Sequence, residues 1–185
     1  MGVLGQMSRP AVFLDRDGVI NRAIMRGGTP HPPATLAQCE VLPGVAEALG
    51  ALKAHGYSRV VVTNQPDVAR GISSRELVDS IHARLASELD IDAILTCFHD
   101  DADACECRKP KPGLLLRAAR GLGIDLGSSF MVGDRRQDLE AGRRAGCRTF
   151  WVDSGESALR DVECDFRVSS LFEASRIILG QAILR

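Results

Sequence analysis

The chain has 185 residues, 45% of them hydrophobic and 25% charged, and 23 basic residues against 24 acidic leave a net charge of −1. This composition excludes an extended disordered chain, and the charge balance leaves no general field to attract nucleic acid or an anionic membrane. Aromatic residues make up only 4%, too few for a base-stacking platform.

The length predicts one domain over residues 1–185, with 1–10 as a flexible N-terminus. MGVLGQMSRP carries no apolar leader stretch, and no apolar run approaches the roughly 18 residues of a membrane span. Six cysteines in a chain without a secretion signal argue against a disulfide framework, so a reduced, cytoplasmic setting is expected.

In chain order, short β-branched runs predict strands at 11–14, 59–63, 93–98, 129–133 and 149–152. Between them lie amphipathic stretches. Pro43 opens a helix to about His55, and Ser73–Ser74 caps one to about Leu89. Pro112 starts a third helix, ended by Gly121 or Gly123, and a fourth runs from Arg135 to Ala145, closed by Gly146. A last helix is predicted over 171–183. Strand alternating with helix implies an α/β fold, a doubly wound, mostly parallel sheet with ligands at the carboxyl ends of the strands. Segments 21–42 and 99–112 exceed ordinary connections and are candidate functional loops. GLGIDLG at 121–127 follows a helix and misplaces its third glycine, so it is not a dinucleotide site.

The first strand ends in AVFLDRDGVIN. Asp15 and Asp17, two apart, extend toward the same side of a strand end and repel unless a cation lies between them. Mg²⁺ suits that place, because it takes oxygen ligands and keeps positions for water and a phosphate oxygen. One carboxylate can then attack phosphorus while the other handles the leaving group's proton; a polar turn after a strand would satisfy the same residues. Thr63 and Asn64 end the second strand with groups suited to phosphate oxygens. Lys109, in RKPKPG, offers an ammonium that can neutralise a transferring phosphoryl group, or simply a solvated basic loop. Asp134 ends a strand, with Asp138 one helical turn on, where the helix dipole also favours acids. Cys97, His99, Cys105 and Cys107 form C-x-H-x5-C-x-C, the donor set of a closed structural zinc site. Cys39, Cys147 and Cys164 lack that company, and no role is assigned to His31, His55 or His82.

Together FLDRDGVIN, VVTNQ, RKPKPG and MVGDRRQDLEAG resemble the four signature motifs of the haloacid dehalogenase-like phosphatase superfamily, over a match from Ala11 to about Val168. Within it, DRDGxIN, TNQxxxARG and CxCRKPxPG resemble the D-glycero-D-manno-heptose 1,7-bisphosphate 7-phosphatases, with the histidinol-phosphate phosphatase domain as nearest sibling. The resemblance implies a Rossmann-like α/β enzyme without a large cap domain, its cysteine loop pinned by zinc. By the same resemblance Asp15 is the nucleophile, passing through an aspartyl-phosphate, and Asp17 is the general acid and then base. Mg²⁺ is held by Asp15, Asp134 and the backbone carbonyl of Asp17. Thr63, Asn64, Gln65 and Lys109 hold the phosphoryl group, and Arg108 and Arg135 bind substrate. The implied reaction removes the 7-phosphate in nucleotide-activated heptose synthesis for lipopolysaccharide or capsule, with either anomer open. The alternatives are a histidinol-phosphate or other small sugar-phosphate phosphatase, or a non-catalytic zinc-binding module. The expected partner is a small phosphorylated sugar, with neither nucleic acid nor membrane, acted on by a monomer. The chain departs from the pattern at Val19, where threonine is usual, and at Pro66–Asp67, where Ser-Gly is usual. It departs again in RAIMRGGTPHPP, which replaces a polar, aromatic-containing loop.

Overall fold

A computed structural model of the chain describes residues 8–153 and 162–181. Most of the expected N-terminal tail lies outside the described residues; the last predicted helix ends at Ile178, short of the expected 183, where Leu179 caps it and Gly180 takes φ 67°, and 182–183 lie outside the described residues. Six parallel strands form the main sheet: β1 (Ala11–Leu14), β4 (Ser58–Asn64), β5 (Ala93–Cys97), β6 (Phe130–Gly133), β7 (Arg148–Val152) and β8 (Phe166–Val168), in the spatial order β5-β4-β1-β6-β7-β8. The chain leaves β1 toward one edge through β4 and β5, then returns to β6 on β1's other side. This reversal beside β1 is the switch point where an open α/β sheet forms its crevice. β1 pairs with β4 from Ala11↔Ser58 to Leu14↔Val61, and with β6 from Val12↔Phe130 to Leu14↔Val132. Arg9, inside the expected tail, bridges to Ile124.

Alternation along the strands divides the core between the two faces of the sheet. Val12, Leu14, Val61 and Phe150 face α1 (Val45–Ala54), α2 (Arg75–Glu88) and α5 (Leu171–Ile178). Phe13, Val60, Val62 and Met131 face α3 (Gly113–Leu122) and α4 (Arg136–Ala145). Helices on both faces explain why the strands read as unbroken apolar runs. The helix boundaries follow local chemistry. The Ser74 hydroxyl accepts from Leu77 N at 3.1 Å to cap α2, and Gly123 and Gly146 adopt positive φ to end α3 and α4. Pro112 stands at the cap of α3, one residue before its expected place.

Two elements depart from the sequence expectation. β8 is a three-residue edge strand, too short to show a period. In segment 21–42, β2 (Ile24–Arg26) and β3 (Thr29–His31) form an antiparallel hairpin. Gly27 and Gly28, at φ 56° and 77°, make its two-residue turn, where the mirror-image turns of tight hairpins demand glycine. The segment is closed at its neck by an Asn21↔Val41 bridge, made by Arg22 N to Glu40 O at 2.8 Å and Leu42 N to Ile20 O at 2.9 Å. Between β1 and α1 the chain holds only this hairpin and a single 3-10 turn at Leu36–Gln38. Among the described residues no helix is long and apolar enough to cross a membrane.

Candidate active site and metal centre

β1 delivers Asp15 and Asp17, β4 delivers Thr63 and Asn64, and β6 delivers Asp134, all at the carboxyl ends of three adjacent strands. All but Asp134 meet Lys109, from the loop before α3, around a cleft of about 240 Å³. The cleft is lined by Asp15, Asp17, Thr63, Asn64, Arg108, Lys109, Arg135 and Asp138, and by Thr29, Pro30, His31 and Pro32 of the hairpin.

Lys109 is buried, and its Nζ donates to Asp15 Oδ1 and Val62 O at 2.8 Å each and lies 2.6 Å from Asp138 Oδ1. Burial alone would lower its pKa, but the Asp138 and Asp15 charges outweigh it and hold the ammonium above its ordinary value. Burial and the neighbouring Asp138 charge raise Asp15 to about 6, despite the opposing pull of Lys109. Asp134 is pushed well above the usual carboxylate range by burial, then by Asp15 and Asp138. Asp134 Oδ1 is buried with no hydrogen-bond partner among the described residues. One carboxylate oxygen from each of Asp15, Asp134 and Asp138 lies within 4.8 Å of the others. Crowded acids, one with an orphaned oxygen, fit a hard divalent cation, which supplies the charge and the coordination they lack. Gly18 serves this crowding. Its φ is +93°, and a Cβ there would stand 2.1 Å from Asp134 Oδ2.

Asp17 has a different environment. Its carboxylate accepts from Arg16 Nη2 at 2.8 Å, Asn21 Nδ2 at 2.9 Å and Gln65 Nε2 at 2.9 Å. Burial would raise its pKa, yet the Arg16 charge and these hydrogen bonds prevail and lower it. Two carboxylates two residues apart are thus driven in opposite directions, Asp15 toward its protonated form and Asp17 toward its ionised form.

Asn64 and Gln65, expected to hold the phosphoryl group, have other partners. Asn64 Nδ2 donates to Lys109 O at 3.0 Å and its Oδ1 accepts from Lys109 N at 3.1 Å, clamping the lysine's main chain. Gln65 is buried beneath Asp17, and its amide also donates to Thr63 Oγ1 at 2.9 Å. Arg135 stands at the mouth and reaches Pro30 O of the hairpin at 3.3 Å. Arg108 Nε donates to Asp101 at 2.7 Å, and Arg70, which the sequence reading left without a role, lines the cleft while paired with Asp67, Asp100 and Asp101. Thr29, Pro30, His31 and Pro32 fall in segment 21–42, expected to be a functional loop; its two strands were not expected, and the glycine pair between two short runs is the signal that marks them.

The four metal-ligand candidates of the cysteine loop converge. Cys97 Sγ lies 3.2 Å from Cys107 Sγ and 3.7 Å from Cys105 Sγ, and Cys105 lies 3.5 Å from Cys107. His99 Nδ1 is 3.5 Å from Cys97 Sγ and 3.3 Å from Cys107 Sγ. A tetrahedron with metal–sulfur bonds of about 2.3 Å has sulfur–sulfur edges of about 3.8 Å, so the cage is close to the size zinc requires. All six cysteines are free thiols. Gly113 sets the loop against α3, since a Cβ there would lie 2.1 Å from Glu106 O.

A central strand ending in Asp15 and Asp17, a buried lysine and a further strand-end carboxylate on an open parallel sheet define a HAD-like hydrolase, and the HAD-hydrolase-like family model matches residues 106–173. D-glycero-beta-D-manno-heptose-1,7-bisphosphate 7-phosphatase of Pasteurella multocida is 37% identical over 186 residues, covering 93% of this chain and 98% of the relative. The Escherichia coli K12 protein of the same name is 35% identical, covering 94% and 96%. The crystal structure of the D,D-heptose 1,7-bisphosphate phosphatase from B. bronchiseptica, complexed with magnesium and phosphate, superposes with a TM-score of 0.77 at 29% identity, over 94% of this chain and 99% of that one. The chain belongs to the D-glycero-beta-D-manno-heptose-1,7-bisphosphate 7-phosphatase family.

Proposed function

We propose that this protein removes the 7-phosphate of D-glycero-β-D-manno-heptose 1,7-bisphosphate in the synthesis of nucleotide-activated heptose for lipopolysaccharide or capsule. One observation carries the reading. Asp15 and Lys109, joined through the lysine ammonium, line one cleft with Arg108 and Arg135, and Asp134, which carries the orphaned oxygen, has a carboxylate oxygen within 4.8 Å of those of Asp15 and Asp138. That is an anionic nucleophile beside charge-neutralising groups, with guanidinium groups placed for a second phosphate. The relatives' printed substrate, and their coverage of nearly the whole chain, support the heptose and its β anomer.

In this reading Mg²⁺ is held by Asp15, Asp134 and the Asp17 backbone carbonyl, and when bound it neutralises charge on the phosphoryl oxygens. An Asp15 oxygen attacks phosphorus as the bond to the sugar oxygen breaks, leaving an aspartyl-phosphate. Asp17 donates its proton to the departing alkoxide, then takes one from the water that hydrolyses the acyl phosphate. Asp17 is ionised in the free protein; an arriving phosphate dianion raises its proton affinity and readies it as the acid. Thr63 and Lys109 hold the phosphoryl oxygens, and Asn64 and Gln65 act by fixing Lys109 and Asp17. Zinc held by Cys97, His99, Cys105 and Cys107 is structural. The protein acts as a one-domain monomer in the cytoplasm.

Phosphate release with Mg²⁺ from both heptose anomers, fructose 1,6-bisphosphate and histidinol phosphate tests this. The expected kcat/KM favours the β-heptose by about a hundredfold or more, roughly 2.7 kcal/mol. Weak, even activity across the panel would overturn the substrate assignment.

A further inference from the structure

Arg16 stands between the two carboxylates in sequence, and its completely buried side chain spans from Asp17 to His82 of α2. One edge of the guanidinium grips Asp17, with Nε at 3.2 Å and Nη2 at 3.0 Å from Oδ1 and Nη2 at 2.8 Å from Oδ2. The remaining arm, Nη1, lies 3.0 Å from His82 Nε2. A guanidinium only donates, so His82 offers the Nε2 lone pair and carries its proton on Nδ1. Burial and the Arg16 charge push His82 down to about 4, which keeps the ring neutral and accepting at physiological pH. The ring is held by α2, whose Val78, Ile81 and Leu85 are buried in the core.

We propose that His82 is a positioning residue for Asp17, acting through Arg16. Resting on the reading of Asp17 as the general acid, this assigns the aim of that acid to a helix 66 positions away in sequence, outside every motif that identifies the family. Two of Asp17's supports, Asn21 and Gln65, approach the carboxylate directly. The third is a flexible four-bond side chain that needs a partner at its far end to hold its plane. Without the acceptor a buried, charged N–H is unsatisfied, and the guanidinium must turn to find a partner, taking the carboxylate with it. The loss then falls on protonation of the leaving group rather than on attack at phosphorus.

The leaving group therefore discriminates. A sugar phosphate expels an alkoxide that needs a proton; p-nitrophenyl phosphate expels a phenolate that does not. Single-turnover release of the two leaving groups is measured in the Mg²⁺-loaded wild type, His82→Leu, His82→Gln and Asp17→Asn. His82→Leu is expected to slow the alkyl ester by about tenfold or more while changing the aryl ester by less than about twofold, with KM for both nearly constant. His82→Gln, which restores an acceptor, is expected to recover most of the alkyl rate. Where His82→Leu fails to fold, His82→Asn, too short to reach Nη1, takes its place. Equal losses on both esters, or none on either, overturn the role of His82. Asp17→Asn separates the layers. If it spares the aryl ester while a His82 variant does not, only the His82 inference falls; if it slows both esters equally, the acid role of Asp17 falls with it.

Discussion

Asp15 carries a stability cost that a single substitution exposes. Its carboxyl is raised from 3.8 to about 6 by burial and by Asp138, so the folded protein holds a proton there that the unfolded chain has already lost. A folded-state pKa raised in this way makes ionisation oppose folding. The penalty is absent below about pH 3.8, grows as pH rises, and is complete above about pH 6. The shift of roughly 2.2 pH units corresponds to about 3 kcal/mol. In the wild type alone this is overlaid by His82, lowered to about 4 and gaining stability from about pH 4 to 6.5, and by Asp134, whose raised carboxyl adds a penalty of the same sign as that of Asp15. The difference between Asp15→Asn and wild type cancels the His82 contribution. In buffer with chelator, the variant's advantage in unfolding free energy is expected to grow by about 2 kcal/mol between pH 4 and pH 6.5. For a protein of this size that is a relative Tm gain of about 4–8 °C. Millimolar Mg²⁺ is expected to shrink the gap at pH 7, since only the wild type offers the full set of carboxylates. Thermal melts or urea titrations at four pH values measure it. A difference independent of pH, or one that runs against the variant as pH rises, refutes the assignment of the penalty to Asp15.

Three further outcomes are expected. Lys109→Met leaves Asp15 and Asp138 buried without their cation; it should abolish phosphate release and cost about 3–5 kcal/mol in urea unfolding, and near-wild-type stability would show that the carboxylates find another partner. Cys105→Ser should reduce zinc per chain, read by atomic absorption, and lower Tm; an unchanged zinc-to-protein ratio would remove Cys105 from the ligand set. Gly18→Ala forces a Cβ onto Asp134 at a positive φ, so calorimetric Mg²⁺ affinity should fall about tenfold or more while zinc content stays constant.

Much of the fold was legible because each central strand is buried on both faces and is followed by a helix with its own cap or glycine stop. The strand ends carrying Asp15, Thr63 and Asp134 could be located for that reason. β8 was not, since three residues at a sheet edge show no period. The hairpin was obscured by its prolines, which made residues 21–42 read as a loop although Gly27–Gly28 marked the turn. The deeper gap concerns which polar groups have already found partners. Sequence identifies Asn64 and Gln65 as amides at a strand end, but only the fold shows one clamping Lys109 and the other supporting Asp17. The Arg16–His82 contact joins residues 66 apart with no shared motif, and no local pattern encodes it.

The neck that closes residues 22–40 gives this insertion a particular standing. Its two ends are fastened together by the two backbone hydrogen bonds that make the Asn21↔Val41 bridge, directly after the strand that supplies Asp15 and Asp17. The exposed hairpin beyond the neck can be lengthened, shortened or exchanged while the chain still returns to the same point, as an attachment changes on a fixed mount, whereas Cys39, buried in the core, stays with the scaffold. The hairpin supplies Thr29, Pro30, His31 and Pro32 to the cleft, and the strands supply its chemistry. Grafting another phosphatase's hairpin in place of residues 24–31 is therefore a way to retarget this scaffold without disturbing the carboxylates beneath it.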